Sequence, residues 1–274
     1  MWELYDTLIK SIPPDCRVDE AIPGEHWTMV RSGKGVGLAM TLHEDTRPNI
    51  LSLPPGRPFC KGMPLAELAE AAKSWNFAEA SLGMAAISAY WNSPEREFVA
   101  AALERGDTEA FGAWRGRVAG KRVAVIGHFL HLEKSLAPFC ELSILERRPG
   151  PGDYPDSACE YLLPFQDFVF ATGVTLINKT LPRLLELAGE AGIILAGPSV
   201  PMAPPLFGRG VRDLQGLLVT DPELCAAIVR GERPELTVFG AGRRVSVPGE
   251  GPPRAAAAGG EEAAFGAGGP EKPA

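Results

Sequence analysis

Arg122-Val123-Ala124-Val125-Ile126-Gly127 is a short apolar run closed by a glycine. A run of that kind reads as a β-strand covered on both faces. Four more follow it: Leu142-Ser143-Ile144-Leu145-Glu146, Phe168-Val169-Phe170-Ala171, Ile193-Ile194-Leu195-Ala196-Gly197 and Gly216-Leu217-Leu218-Val219-Thr220. Between the third and fourth runs, Leu181, Leu184, Leu185 and Ala188 form an i, i+3, i+4, i+7 stripe. Thr180 stands where it would cap that helix, and Pro182 is tolerated in the first turn. Strands alternating with helices imply right-handed crossovers and a mainly parallel sheet. A Rossmann-like α/β domain is therefore expected over residues 116–248. Leu236 to Val247 reads as a closing hairpin around Gly240-Ala241-Gly242.

Upstream, over residues 1–115, the order is strands first and helices after, which predicts an α+β domain. Trp27–Ser32 and Val36–Leu42 read as strands joined at Gly33-Lys34-Gly35, where glycine supplies positive φ. A Pro-rich passage from Pro48 to Pro64 leads to a helix from Leu65, with Leu65, Leu68 and Ala72 on one face. A second helix is expected over Asn76–Tyr90. It is apolar on both sides, as a helix packed between layers should be. Downstream, residues 249–274 hold 7 Gly, 8 Ala and 4 Pro, with Phe265 the single large apolar side chain. That segment buries too little surface to offset its ordering entropy and is expected to be a disordered tail.

The 274 residues carry a formal net charge of -7. Nucleic acid is not an expected partner, because phosphate neutralisation needs a basic stripe. No apolar run of about 18 residues predicts a membrane span. The start, Met1 to Asp6, holds two acids and no apolar core of a secretory signal, so a cytoplasmic location is expected. The five cysteines are odd in number and form no CxxC pair, which predicts reduced thiols rather than a disulfide framework. The expected partner is a small-molecule ligand. A homodimer is the commonest closed symmetry for such a chain.

In doubly wound sheets the ligand sits beyond the carboxyl ends of the strands. Those ends here are Gly127-His128, Glu146, Thr172-Gly173 through Thr175, Asn178 and Thr180, and Gly197-Pro198-Ser199. Glu146, 19 residues after Gly127, has the spacing of an acid that accepts hydrogen bonds from ribose hydroxyls. Pairing with Arg147 or Arg148 at a solvated strand end is the other reading. A single glycine replaces GxGxxG, so a nucleoside without pyrophosphate, such as S-adenosylmethionine, fits better than NAD. Thr172, Gly173, Thr175, Asn178 and Thr180 gather short polar groups around a helix start, suited to an anion or simply to capping. Pro198 and Ser199 form a rigid polar loop at the next strand end. His128 is a candidate acid–base group. His128 and His131, three apart with Glu133 nearby, are also candidate ligands for a divalent heavy metal. Lys34 and Asn92 are candidates for reaching a shared cleft from the first domain.

Several segments together resemble a known family. They are Gly62-Met63-Pro64-Leu65, Asn76 to Ala86, Val125 to Phe129, Leu145-Glu146-Arg147 with Pro149, Ala171 to Pro182, and Gly197-Pro198-Ser199. The resemblance is to a heavy-metal-chelation family of unknown function and covers nearly all of residues 1–235. It implies an enolase-N-terminal-like domain joined to a Rossmann-like domain with partial similarity to methyltransferases. It also implies an active site at the junction of the two. Condensation or hydrolysis in pterin, flavin or metallophore synthesis is the implied chemistry. Similar proteins often carry Asn where this chain has Ser88, so Ser88 is not counted as a site residue.

Two functions compete on these grounds. One is an enzyme-like protein that holds a small anionic, nucleoside or pterin-like ligand between its domains. The other is a non-catalytic metal or metallophore binder relying on His128, His131, Glu133 and a cysteine. A nicotinamide dehydrogenase is disfavoured by the missing glycines.

Overall fold

The computed structural model describes residues 2–43, 60–107, 111–129 and 132–249. The Pro-rich passage up to residue 59, His131 and the tail beyond Gly249 lie outside them. A helix the sequence reading did not anticipate, α1 (Glu3–Lys10), opens the chain. It precedes an antiparallel sheet of β1 (Glu20–Pro23), β2 (Trp27–Ser32) and β3 (Gly35–Met40), in that order. β1 was also unforeseen. Then come α2 (Leu65–Ala69), which tightens into a 3₁₀ turn over Glu70–Lys73, α3 (Phe77–Trp91) and α4 (Glu97–Glu104). This is the expected α+β domain.

α3 is the axis of this domain. Asn76 caps it, its Oδ1 accepting from the amides of Ala78 and Glu79 at 3.0 and 3.3 Å. The helix is buried on nearly every side. It lies so close to β3 that a Cβ on Gly37 would stand 2.0 Å from the Ala85 carbonyl oxygen. Ser88 lies within this packing, fully buried, with its hydroxyl unpartnered.

The second domain begins with α5 (Arg115–Val118) and β4 (Arg122–Ile126), followed by α6 (Leu132–Leu136), β5 (Glu141–Glu146), β6 (Tyr154–Pro155), α7 (Cys159–Leu162) and β7 (Phe168–Thr172). It continues with α8 (Val174–Ile177), α9 (Leu181–Ala188), β8 (Ile193–Ala196), β9 (Val211–Val219), α10 (Pro222–Val229) and β10 (Gly242–Pro248). The seven strands run in the order β10-β9-β8-β7-β4-β5-β6. All pairs are parallel except β10 on β9. This is a Rossmann-like sheet, with its topological switch between β4 and β7.

Two local expectations change. The closing segment is not a self-contained hairpin over Leu236–Val247. Residues 238–241 form a 3₁₀ turn, and β10 pairs instead with β9, which begins five residues earlier than expected, at Val211. Thr180 holds the N-cap position of α9, but its side chain makes no cap. The five cysteines are free thiols, as expected, with Cys60, Cys159 and Cys225 buried. Among the described residues no helix is long and apolar enough to cross a membrane.

One apolar core runs through both domains. It includes Leu4, Leu8, Met84 and Ile87 of the first and Leu145, Leu176, Leu195 and Leu206 of the second. Because α3 meets β3 backbone to backbone, Gly37→Ala is expected to cost about 3 kcal/mol or more. Denaturant unfolding checks this: the midpoint should fall with the m-value unchanged.

Candidate functional site

A cleft of about 690 Å³ opens at the carboxyl ends of β4, β5 and β7. Gly127, His128, Glu146, Thr172, Thr175, Asn178 and Thr180 line it, together with Met40 and Leu42 from the end of β3 in the first domain. Register keeps the strand ends level: Ile126 pairs with both Leu145 and Ala171, and Thr172 with Ala196. Gly127 has φ +99, and a Cβ there would come 3.0 Å from the Thr172 side chain. A side chain at 127 would be strained and would press on Thr172 where the two strands diverge. Ile126, Leu145, Val174, Leu184 and Leu187 add apolar wall.

Glu146 neither stands free for a ligand nor pairs only with an arginine side chain. Its Oε2 accepts from the His128 amide at 3.0 Å, and its Oε1 accepts from the amides of Arg147 and Arg148 at 2.7 and 3.4 Å. The carboxylate thus ties the loop after β4 to the end of β5. A carboxylate offers about four lone-pair sites, so acceptor capacity remains.

His128 is held by side chains from two other segments. Its Nδ1 lies 3.0 Å from Asp153 Oδ2, and its Nε2 lies 3.0 Å from Glu133 Oε1. The Asp153 side chain is 3% exposed and also accepts from the Gly150 amide at 3.0 Å. The hydrogen bond to Asp153, with both carboxylate charges, outweighs burial and raises the imidazole above its ordinary value. Burial alone would raise Asp153. The hydrogen bonds from His128 and Gly150 and the histidine's charge reverse that and lower it. With both ring nitrogens facing carboxylates, the geometry suits the doubly protonated ring, which can give a proton but has no lone pair free to take one.

The polar residues of the β7–α9 loop bond chiefly to one another. Thr175 Oγ1 donates to the Thr172 carbonyl at 2.7 Å, and the Val174 amide donates to Thr172 Oγ1 at 3.3 Å. Asn178 Oδ1 accepts from both the amide and the hydroxyl of Thr180, at 3.2 and 2.7 Å. Between them, Lys179 adopts φ +65, a left-handed conformation costing about 1–2 kcal/mol for a residue with a Cβ. Lys179 also lines the cleft. It was not among the residues singled out from sequence.

The other candidates lie apart from the cleft wall. Gly173 packs against the Ser199 backbone, which a Cβ would meet at 2.7 Å. Pro198 and Ser199 are buried. Ser199 Oγ accepts from the Met40 amide at 2.9 Å, joining the domains. Asn92 is 4% exposed. It accepts from the Met202 amide at 2.8 Å and donates to the Val200 carbonyl at 3.5 Å, again across the domains. Lys34 sits on the exposed β2–β3 turn and pairs with Glu95 at 3.1 Å, remote from the strand ends.

The comparisons with known proteins converge on one family. A family model described as "Putative heavy-metal chelation", DUF364, matches residues 109–246, and a second of the same description, DUF4213, matches residues 5–91. The chain belongs to the DUF364 family. A DUF364 structure of unknown function from Desulfitobacterium hafniense is 42% identical, covers 90% of this chain and 98% of its own, and superposes with a TM-score of 0.81. One from Pyrococcus horikoshii, 22% identical, shares the fold over 89% of this chain and 98% of its own, with a TM-score of 0.73. An uncharacterized protein of Methanocaldococcus jannaschii is 27% identical over 243 residues, 83% of this chain and 87% of the relative.

The DUF364 description raises the question of whether these residues suit a metal. The described ones do not. Both nitrogens of His128 are committed to carboxylates. Cys159, the cleft's thiol, is pushed up to about 11 by burial, so the thiolate a soft metal prefers is disfavoured. No group of three or more His, Cys, Asp or Glu among the described residues is placed to hold an ion. His131 lies outside those residues.

The His128–Asp153 pair carries a pH signature. Its histidine contribution is full below the ordinary value near 6.5 and is lost as pH rises through the raised folded value. Its aspartate contribution is present above the ordinary carboxylate value and is lost as pH falls through the lowered one. Unfolding free energies between about pH 5 and 9 should therefore decline toward the alkaline side more steeply in the unaltered chain than in His128→Gln. Equal slopes would show that the pair does not hold the loop.

Proposed function

We propose that the chain binds a small organic anion, of nucleoside or pterin type, in the cleft between its two domains. We further infer that its link to heavy metals runs through that molecule, as part of making or handling a chelator, rather than through metal ligands of its own. The observation that carries this is the cleft's position. It opens at the switch point of the parallel sheet, the place where doubly wound folds bind ligands, and the first domain supplies part of its wall.

The wall composition supports the ligand class. Met40, Leu42, Ile126, Leu145 and Val174 suit a planar apolar body, while Glu146 retains acceptor capacity for a hydroxyl or ring N–H. The tie from Glu146 to the His128 amide presents that carboxylate at a fixed place. A condensation or hydrolysis there, the chemistry the family resemblance implies, would draw its proton from the His128 imidazolium on the rim. No step of this reading routes through a metal.

Thermal-shift titration of the full chain tests it with S-adenosylmethionine, S-adenosylhomocysteine, a pterin, NADH and divalent metals. A cleft ligand at about 100 times its Kd stabilises by about 2.7 kcal/mol, or roughly 5–10 °C for a chain of this size. Val174→Trp, which fills the cleft, should abolish the shift. A shift produced by divalent metals alone, and surviving Val174→Trp, would overturn the proposal.

A further inference from the structure

The cleft's polar loop leaves a charge unexplained. Thr172, Thr175, Asn178 and Thr180 spend hydrogen bonds on shaping the loop. α8 is only four residues long and has little dipole to offer. The arginine nearest the loop is already paired: Arg183 is held by Glu160 at 2.6 Å and by Glu186 at 2.9 Å. Lys179 differs. It is half-buried, and no carboxylate among the described residues pairs with it. Its Nζ donates to the Ile177 carbonyl at 2.8 Å and stands 5.2 Å from the Phe77 ring and 5.7 Å from the Trp75 ring.

An ammonium has three donors. Among the described residues, one has a protein acceptor, the Ile177 carbonyl, and two aromatic faces from the first domain stand near the ammonium. Rings attract a cation but do not neutralise it. A partly desolvated charge without a counterion is costly, and an arriving anion relieves that cost. The backbone shows the same placement. Asn178 bonds across to Thr180, and the residue bracketed between them is held left-handed, a conformation that persists where the surrounding structure imposes it.

We propose that Lys179 is the anion anchor of the cleft, its ammonium pairing with a carboxylate or phosphate group of the molecule bound there. This rests on the cleft reading above and adds to it the group that supplies the counter-charge. Phe77, Trp75 and the Ile177 carbonyl, which surround its ammonium, do not titrate; the charged side chains that share the cleft with it among the described residues are His128, Glu146, Arg147, Arg148, Asp156, Glu160 and Arg183. Burial pushes this amine down to about 8. A bound anion favours the charged form and moves it back up. Affinity is therefore expected to fall as pH rises past about 8, and binding between the free and bound midpoints takes up a proton.

The test follows the Lys179 ¹³Cε resonance of the full chain through a pH titration, assigned by its absence in Lys179→Met. The titration is run in chloride alone, with inorganic phosphate and with acetate. The midpoint is expected near 8 in chloride. The anion whose chemistry the cleft takes should raise it by about one unit, a tenfold preference for the charged amine. Phosphate acting without acetate would identify a phosphate-bearing ligand, and acetate acting without phosphate a carboxylate. A midpoint that neither anion moves overturns the proposal. Lys179→Met, which keeps the chain's length over the two rings, should weaken S-adenosylmethionine binding about tenfold or more, as loss of a charged hydrogen bond does. Unchanged affinity in that variant, or a lowered melting temperature as its only effect, would make Lys179 a clasp between the domains. That outcome overturns the anchor and leaves the cleft reading standing. Conversely, a midpoint that moves with phosphate while no nucleoside or pterin binds supports the anchor and removes the proposed ligand class.

Discussion

The structure depends on a set of buried hydrogen bonds across the seam between its two domains. Asn92, at the end of α3, accepts from the Met202 amide and donates to the Val200 carbonyl. Ser199 accepts from the Met40 amide at the end of β3, and Tyr5 donates to the Leu176 carbonyl at 2.7 Å. Each serves a backbone group in a loop or at the end of a helix or strand, where regular structure does not supply a partner. A buried donor or acceptor left unmade costs about 1–3 kcal/mol, so the seam favours one relative position of the domains. That position brings Met40 and Leu42 to the strand ends and makes the cleft a two-domain feature.

The same constraint explains which parts of the site were legible in the sequence. Short apolar runs, two of them closed by Gly127 and Gly197, located β4, β5, β7 and β8 within a residue or so, because a strand covered on both faces needs a continuous run. Gly127, Glu146, Thr172, Thr175, Asn178 and Thr180 do meet at one sheet edge, since parallel connections leave all carboxyl ends together. Asn92 and Ser199 looked equally like ligand groups. A polar side chain at an element's end has the same local signature whether it faces a ligand or another backbone. Their partners lie 110 and 159 residues away, which no local pattern reveals. The start of β9 was hidden for a related reason: Arg212, Asp213 and Gln215 interrupt the apolar run, yet Asp213 is buried and satisfied by Trp114, Gln215 and Ser246.

His128 and Lys179 show charge being settled by tertiary structure. Imidazole three residues from a second histidine suggests metal or acid–base work. Asp153, 25 residues on, and Glu133 instead engage both ring nitrogens at the cleft's rim and raise the imidazole above its ordinary value. Lys179 drew no reading of its own from the sequence. The seam sets it beside Phe77 and Trp75, with no carboxylate partner among the described residues. The cleft therefore joins apolar walls, a carboxylate fixed by three backbone amides and a lysine that no carboxylate among the described residues pairs with. That set is the ground for proposing an organic anion, and not a bare metal ion, as its occupant.

Calorimetry of the full chain tests the central claim, that the two domains act as one body. Two-domain chains commonly unfold in separable steps. A core shared by Leu8, Ile87, Leu176 and Leu195, together with the seam's buried hydrogen bonds, predicts a single transition with calorimetric and van't Hoff enthalpies in agreement. Two resolved transitions, each with its own midpoint, would contradict the account. The cleft would then be a gap between independent domains and not a site built by both.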